Sequence, residues 1–217
     1  MGLGIDAYGA YRSCVVMKRA LESRKVPAII APVMYWGINQ INQSGAFPGS
    51  FTVQPSTMKA LLLDTLANLK AWGFRRVFVF SNHGDRLHTK TLAEALSEAR
   101  ASLGLDFYND RMEADSAKQP DTSALNPKDL YRPDYHAGAW ETAMVAACFP
   151  EEVDLALART LKPEASFQPL GYVGNPADYV RIDVVKGEAI ELDYWADCIA
   201  KWMRSPLPPQ KVEKAQK

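Results

Sequence analysis

The chain has 217 residues, and its 25 basic residues balance its 25 acidic ones, for a formal net charge of zero. No basic stripe argues for nucleic acid, no acidic block argues for a disordered tail, and no apolar run approaches the roughly 18 residues a membrane-spanning helix needs. The expectation is therefore a protein without nucleic-acid or membrane partners, cytoplasmic in location. Cys14, Cys148 and Cys198 are few, odd in number and far apart. They point to reduced thiols in helices rather than to a disulfide framework.

In chain order, residues 6–23 carry apolar side chains at helical spacing, and residues 26–35 (VPAIIAPVMY) read as a buried strand. Residues 36–55 form a loop rich in Gly, Asn, Gln and Ser, long enough to suggest a functional segment. Ser56 is expected to cap a helix through Leu62, Leu66 and Leu69, ending near Gly73. The run Arg76-Val77-Phe78-Val79-Phe80 then reads as a strand buried on both faces, as in a parallel sheet. Residues 89–102 predict a helix, 105–108 a short strand, and 114–133 an irregular polar stretch. Helices are expected at 137–148, 151–157 and 187–203, with a frayed tail containing Pro206, Pro208 and Pro209. Strands alternating with helices predict a layered α/β domain with a mainly parallel sheet, a single domain over residues 1–205 and a charged tail over 206–217.

Only three histidines occur, and two of them lie in chemically legible clusters. Ser81-Asn82-His83-Gly84-Asp85 follows directly on the Val/Phe strand, at the carboxyl end where open α/β sheets place ligands. His83 and Asp85, flanking Gly84, could aim an imidazole and a carboxylate at one ion, or could serve only as a hydrogen-bonded turn. The second cluster is Asp134-Tyr135-His136-Ala137-Gly138-Ala139-Trp140-Glu141-Thr142. His88, at the start of the next helix, reads as a cap or surface residue. Asp6 reads equally as an N-cap, and Glu141 as a solvated helix residue.

Six landmarks in order carry a resemblance: Gly4-Ile5-Asp6, Tyr35-Trp36-Gly37, Phe47-Pro48-Gly49-Ser50, Asn82-His83-Gly84-Asp85, His136-Ala137-Gly138 with Glu141-Thr142, and Gly171-Tyr172-Val173-Gly174-Asn175-Pro176. Together they resemble the creatininase (creatinine amidohydrolase) family. The resemblance implies a three-layer α/β/α sandwich, a centre of one or two divalent metals such as Zn or Mn, and a homo-oligomer, by analogy a hexameric ring. It implies a metal-dependent hydrolase acting on a small cyclic or amide-type molecule through a metal-activated water, with one family branch opening a cyclic polyol ketone. Position by position, it gives Asp6, His83 and Asp85 to the metal, His136 to proton transfer and Glu141 to the catalytic centre. Gly84 and Gly138 would let backbone approach the site, and Trp36, Asn39 and Trp140 are the candidate substrate-binding residues.

The same resemblance has departures. In the family a strand and a Glu-x-His-Gly motif precede the position of Asp6, whereas this sequence opens Met1-Gly2-Leu3-Gly4. The expected metal shell is thus Asp6, His83 and Asp85, enough with water for one catalytic ion. The family's Ser and Glu-His after the Tyr-Gly turn do not appear, and Asn39, Gln40 and Asn42 offer amide donors and acceptors instead, which turns the expectation away from creatinine itself. The competing expectation is a weak or inactive relative that keeps the fold as a binding or assembly module.

Overall fold

The computed structural model describes residues 4–40, 51–109, 120–122, 125, 127–134, 136–166 and 171–208. The Phe47-Pro48-Gly49-Ser50 landmark, Asn42, Tyr135, residues 110–119, and the tail from Pro209 lie outside the described residues. Helix α1 spans Ile5–Ser23 and α2 Pro55–Ala71; strand β1 is Arg76–Val79, α3 Arg86–Leu103 and β2 Asp106–Asn109. Helix α4 spans Ala139–Cys148, the single-turn α5 Leu155–Ala158 and α6 Val184–Arg204, with 3-10 turns at Pro150–Glu152 and Pro176–Arg181.

Strands β1 and β2 pair in parallel, Arg76 opposite Asp106 and Val79 opposite Asn109. Parallel pairing needs a crossover, and α3 supplies it. Successive strand side chains point to opposite faces, and each face has its own core. Val77, Val79 and Phe107 pack with Leu62, Leu66 and Leu69 of α2 and Leu92, Leu96 and Ala99 of α3. Phe78, Phe80 and Tyr108 pack with Met17 and Leu21 of α1 and Leu192, Trp195 and Ile199 of α6. The result is helices, sheet, helices: the three-layer order expected, with β1 apolar on both faces for this reason. Arg76, at the strand's start, pairs with Asp106 at 3.2 Å across the ladder.

Several elements differ from the sequence-based expectation. Residues 26–35 form no strand; Pro27 and Pro32 lack the N–H a ladder requires, and Ile29 (67 % exposed) and Tyr35 (60 %) face outward. Helix α2 begins at Pro55 after Gln54, not at a Ser56 cap, because proline suits the first helical position. Helix α3 starts at Arg86, three residues before the expected start at Thr89, with Asp85 as its cap. Helix α6 begins at Val184, capped by Asp183 whose Oδ1 accepts from Lys186 N at 3.1 Å, so Gly187 lies inside the helix. Residues 151–157 split into two short turns around Val153 and Asp154 rather than one helix. The three cysteines are half-buried thiols on α1, α4 and α6. Among the described residues no helix is long and apolar enough to cross a membrane.

Candidate active site

Three pieces of backbone converge beyond the carboxyl end of β1: the first turn of α1, the turn from β1 into α3, and the loop leading into α4. Asp6 lies in the first turn of α1, one residue after the start, so it is not the N-cap; Gly4 is, with φ 106° in the left-handed region that favours glycine. Its Oδ2 stands 3.0 Å from His83 Nδ1. The other ring nitrogen of His83, Nε2, donates to the Ile38 carbonyl at 2.8 Å. Burial alone pushes the His83 imidazole pKa down. The Asp6 hydrogen bond and charge, the Ile38 carbonyl and the charge of Asp85 together outweigh it and hold the pKa above the ordinary value.

Asp85 takes the N-cap of α3. Its Oδ1 accepts from Leu87 N (2.8 Å) and His88 N (3.1 Å), and its Oδ2 from Gln40 N (2.8 Å). Such bonds satisfy the orphan donors of a helix start. Burial works against its charge, but the three backbone donors and His83 prevail, keeping the carboxyl below its usual value. Three of its roughly four acceptor sites are thus occupied by backbone. A Cβ on Gly84 would meet no other described atom of the chain within 4 Å.

His136 and Glu141 are positioned by a second device. Asp134 caps α4, accepting from Ala139 N at 2.8 Å and Trp140 N at 3.3 Å. The carboxylate sits so close that a Cβ on Gly138 would come within 1.7 Å of its Oδ1, and one on Gly174 within 2.3 Å. Gly138 therefore does admit close approach, though of Asp134 and not of a ligand. Glu141 Oε2 reaches back to accept from Ala137 N at 2.6 Å, pinning the residue after His136 at a positive φ of 49°. On its other side His136 is held by its carbonyl, which accepts from Val173 N at 2.7 Å.

The electrostatics of these two groups are opposite. Burial pushes the His136 pKa down, and the charge on His83 adds to that while Asp6 opposes it, leaving the imidazole neutral near pH 7. Burial likewise dominates at Glu141, whose pKa is pushed up to about 7; Asp6 and Asp134 raise it further, against the Ala137 N–H and His83. Asp6, His83, His136 and Glu141 thus act on one another through their charges, a pattern typical of functional sites.

A cavity of about 1180 Å³ opens beside them, lined by Asp6, Trp36, Asn39, His83, Asp85, His136 and Glu141 among others. Trp36 is half exposed and meets Phe51 edge-on at 5.6 Å. Asn39 is anchored through its backbone N–H to Thr52 Oγ1 at 2.9 Å. Trp140 does not line this cavity; it is 44 % exposed on α4.

The sequence reading missed two supporting residues. His88 is buried, not a surface residue: it falls on the α3 stripe with Leu92, Ala95 and Ala99, and that spacing was the available signal. Asn82 packs against α1 where a Cβ on Gly9 would lie 2.1 Å from its Nδ2, a contact no local pattern announces.

The model of the creatinine amidohydrolase family, Creatininase, matches residues 1–193. The chain belongs to the creatininase family. A creatinine amidohydrolase of Pseudomonas putida is 27 % identical over 214 residues, covering 89 % of this chain and 80 % of the relative. A solved structure named for a creatinine amidohydrolase of Bacteroides fragilis NCTC 9343 superposes with a TM-score of 0.68 at 18 % identity, covering 94 % of this chain and 84 % of the other. A structure named as creatininase with Mn superposes with a TM-score of 0.58 at 22 % identity, over 95 % and 84 % of the two chains. These likenesses establish the α/β fold.

The creatininase Mn structure makes a divalent metal the group to test against these residues. Asp6 Oδ2 and His83 Nδ1, 3.0 Å apart, are separated by nearly the ~3.3 Å expected for two ligands about 2 Å from a tetrahedral ion. His83 also has the backing that metal-ligating histidines show, an N–H given to a backbone carbonyl. Glu141, raised chiefly by burial and further by the negative charge of Asp6 and Asp134, is a carboxyl that a cation would stabilise as carboxylate. Among the described residues, however, no three His, Cys, Asp or Glu side chains are gathered as a ligand group. The fit is a two-ligand edge with a carboxyl in electrostatic reach.

Proposed function

We propose that this creatininase-family protein is a metal-dependent hydrolase of a small cyclic or amide-type molecule bound in the cavity between Trp36 and His136. The observation that carries the reading is the Asp6–His83 pair, whose facing atoms stand 3.0 Å apart with His83 backed by the Ile38 carbonyl. A divalent metal supplies a nucleophilic water near neutral pH and polarises a carbonyl. Asp6 and His83 would hold it. Asp85 keeps the His83 turn in place through the α3 cap, with at most one lone pair left to offer.

His136 handles the proton. Kept neutral by burial, it starts as a base, takes the proton released as the nucleophile attacks, and passes it to the leaving nitrogen. Glu141 fixes the loop on which His136 sits and adds negative charge at the site once ionised. Asn39 and Trp36 offer an amide edge and an aromatic face to a compact polar ring.

A second reading, a binding or assembly relative of low activity, is favoured by the absence of a three-residue ligand group among the described residues. Elemental analysis of purified protein before and after chelation separates the two. Near-stoichiometric Mn or Zn, with chelator-sensitive turnover in a screen of lactams, cyclic ureas, formamides and cyclic polyol ketones, supports the hydrolase. Protein that takes up no metal from excess Mn or Zn overturns it.

A further inference from the structure

The third histidine, which the proposed reaction does not use, is tied to the site through one residue. His88 Nδ1 lies 3.2 Å from Ile38 N. A backbone N–H can only donate, so Nδ1 is the bare nitrogen, and the ring proton sits on Nε2, 3.3 Å from Ser81 Oγ. The carbonyl of the same Ile38 receives His83 Nε2–H at 2.8 Å. Ile38 is wholly buried, so an N–H left there without an acceptor would be costly. The rings of His83 and His88 meet edge to face at 4.9 Å. Gly37 is shaped to this contact: a Cβ there would stand 2.8 Å from His88 Nδ1.

We infer that His88 is a positioning residue for the Asp6–His83 pair: its unprotonated Nδ1 grips the Ile38 N–H, which holds the Ile38 carbonyl against His83 Nε2 and leaves His83 Nδ1 as the atom presented beside Asp6. The assignment rests on reading Asp6 and His83 as the metal edge. It accounts for a polar ring placed on the apolar stripe of α3 and for glycine at position 37. A ring serving only as core filling would need no particular tautomer.

The test pairs two variants of similar size. His88→Asn keeps an acceptor where Nδ1 stands; His88→Leu removes it. Mn binding followed by calorimetry should weaken by about tenfold to a hundredfold in H88L, the usual cost of losing an outer partner of a metal histidine, and should stay near wild type in H88N. In metal-free protein labelled with 15N-histidine, only three rings contribute. His88 should show Nε2–H, and a slowly exchanging His83 Nε2–H should persist in wild type and H88N and vanish in H88L. Should H88L not fold, Gly37→Ala takes its place, since its methyl displaces the same ring. A wild-type His88 protonated on Nδ1, or a folded H88L (or G37A) that keeps the His83 Nε2–H signal, overturns the inference. Wild-type protein that shows these tautomers but binds no metal sinks the hydrolase reading and leaves the positioning role standing.

Discussion

At the scale of single residues the site divides its labour by what each group touches. His83 faces Asp6 and is backed by a carbonyl, whereas His136 owes its neutrality chiefly to burial. His83→Ala is expected to abolish metal uptake and turnover together, while His136→Ala keeps the metal and lowers kcat by about a hundredfold or more, as loss of a general acid–base does. Calorimetry beside a turnover assay reads both; metal loss in the His136 variant would reverse the assignment. Glu141 gives a pH signature. Its folded pKa of about 7 stands above the ordinary 4.5, so between those values the folded chain holds a proton that the unfolded chain has released. Stability of chelator-treated protein should therefore fall as pH rises from 4.5 to 7, by about 3 kcal/mol at most. Glu141→Gln should flatten that slope in urea melts. A wild-type curve without it would show that Glu141 titrates normally.

At the scale of elements, three helix starts carry the site, and those of α3 and α4 give N–H groups to an aspartate, Asp85 and Asp134. Asp85 binds two N–H groups of α3 and the Gln40 N–H, so it joins the 37–40 loop to the helix as well as ending it. Asp85→Ala should cost about 1 kcal/mol and Asp85→Asn much less, because asparagine caps nearly as well. Denaturant unfolding measures both. If Asp85→Asn abolished metal binding as completely as His83→Ala, its carboxylate would be a ligand in its own right. In the sequence Asp85 reads either as a metal ligand or as a turn residue bonded to backbone. Spacing could not separate the two roles, because they differ in where Gln40 lies, 45 positions away. The opposite error occurred at residues 26–35, where apolar content suggested a strand. Two prolines removed the donors, and the segment borders the cavity instead.

At the scale of the whole molecule, the sheet divides two cores, and the site sits beyond the carboxyl end of β1, held by elements from both sides. Asp6 comes from α1, packed on one face, and His88 from α3, packed on the other. Metal bound between such elements favours only the folded chain. Mn at a hundredfold its dissociation constant should add about 2.7 kcal/mol of stability, visible as a rise in Tm that Asp6→Ala and His83→Ala lose. An equal rise in all three proteins would place the ion elsewhere. The landmarks around Asp6, His83 and His136 and the two-faced apolar pattern of β1 could be read in the chain, since periodicity, caps and turns are local properties. Which atom meets each histidine nitrogen could not. The contacts of Ile38 with His83 and with His88 span 45 and 50 residues, so they exist only once the loop, the strand end and the helix have been packed together.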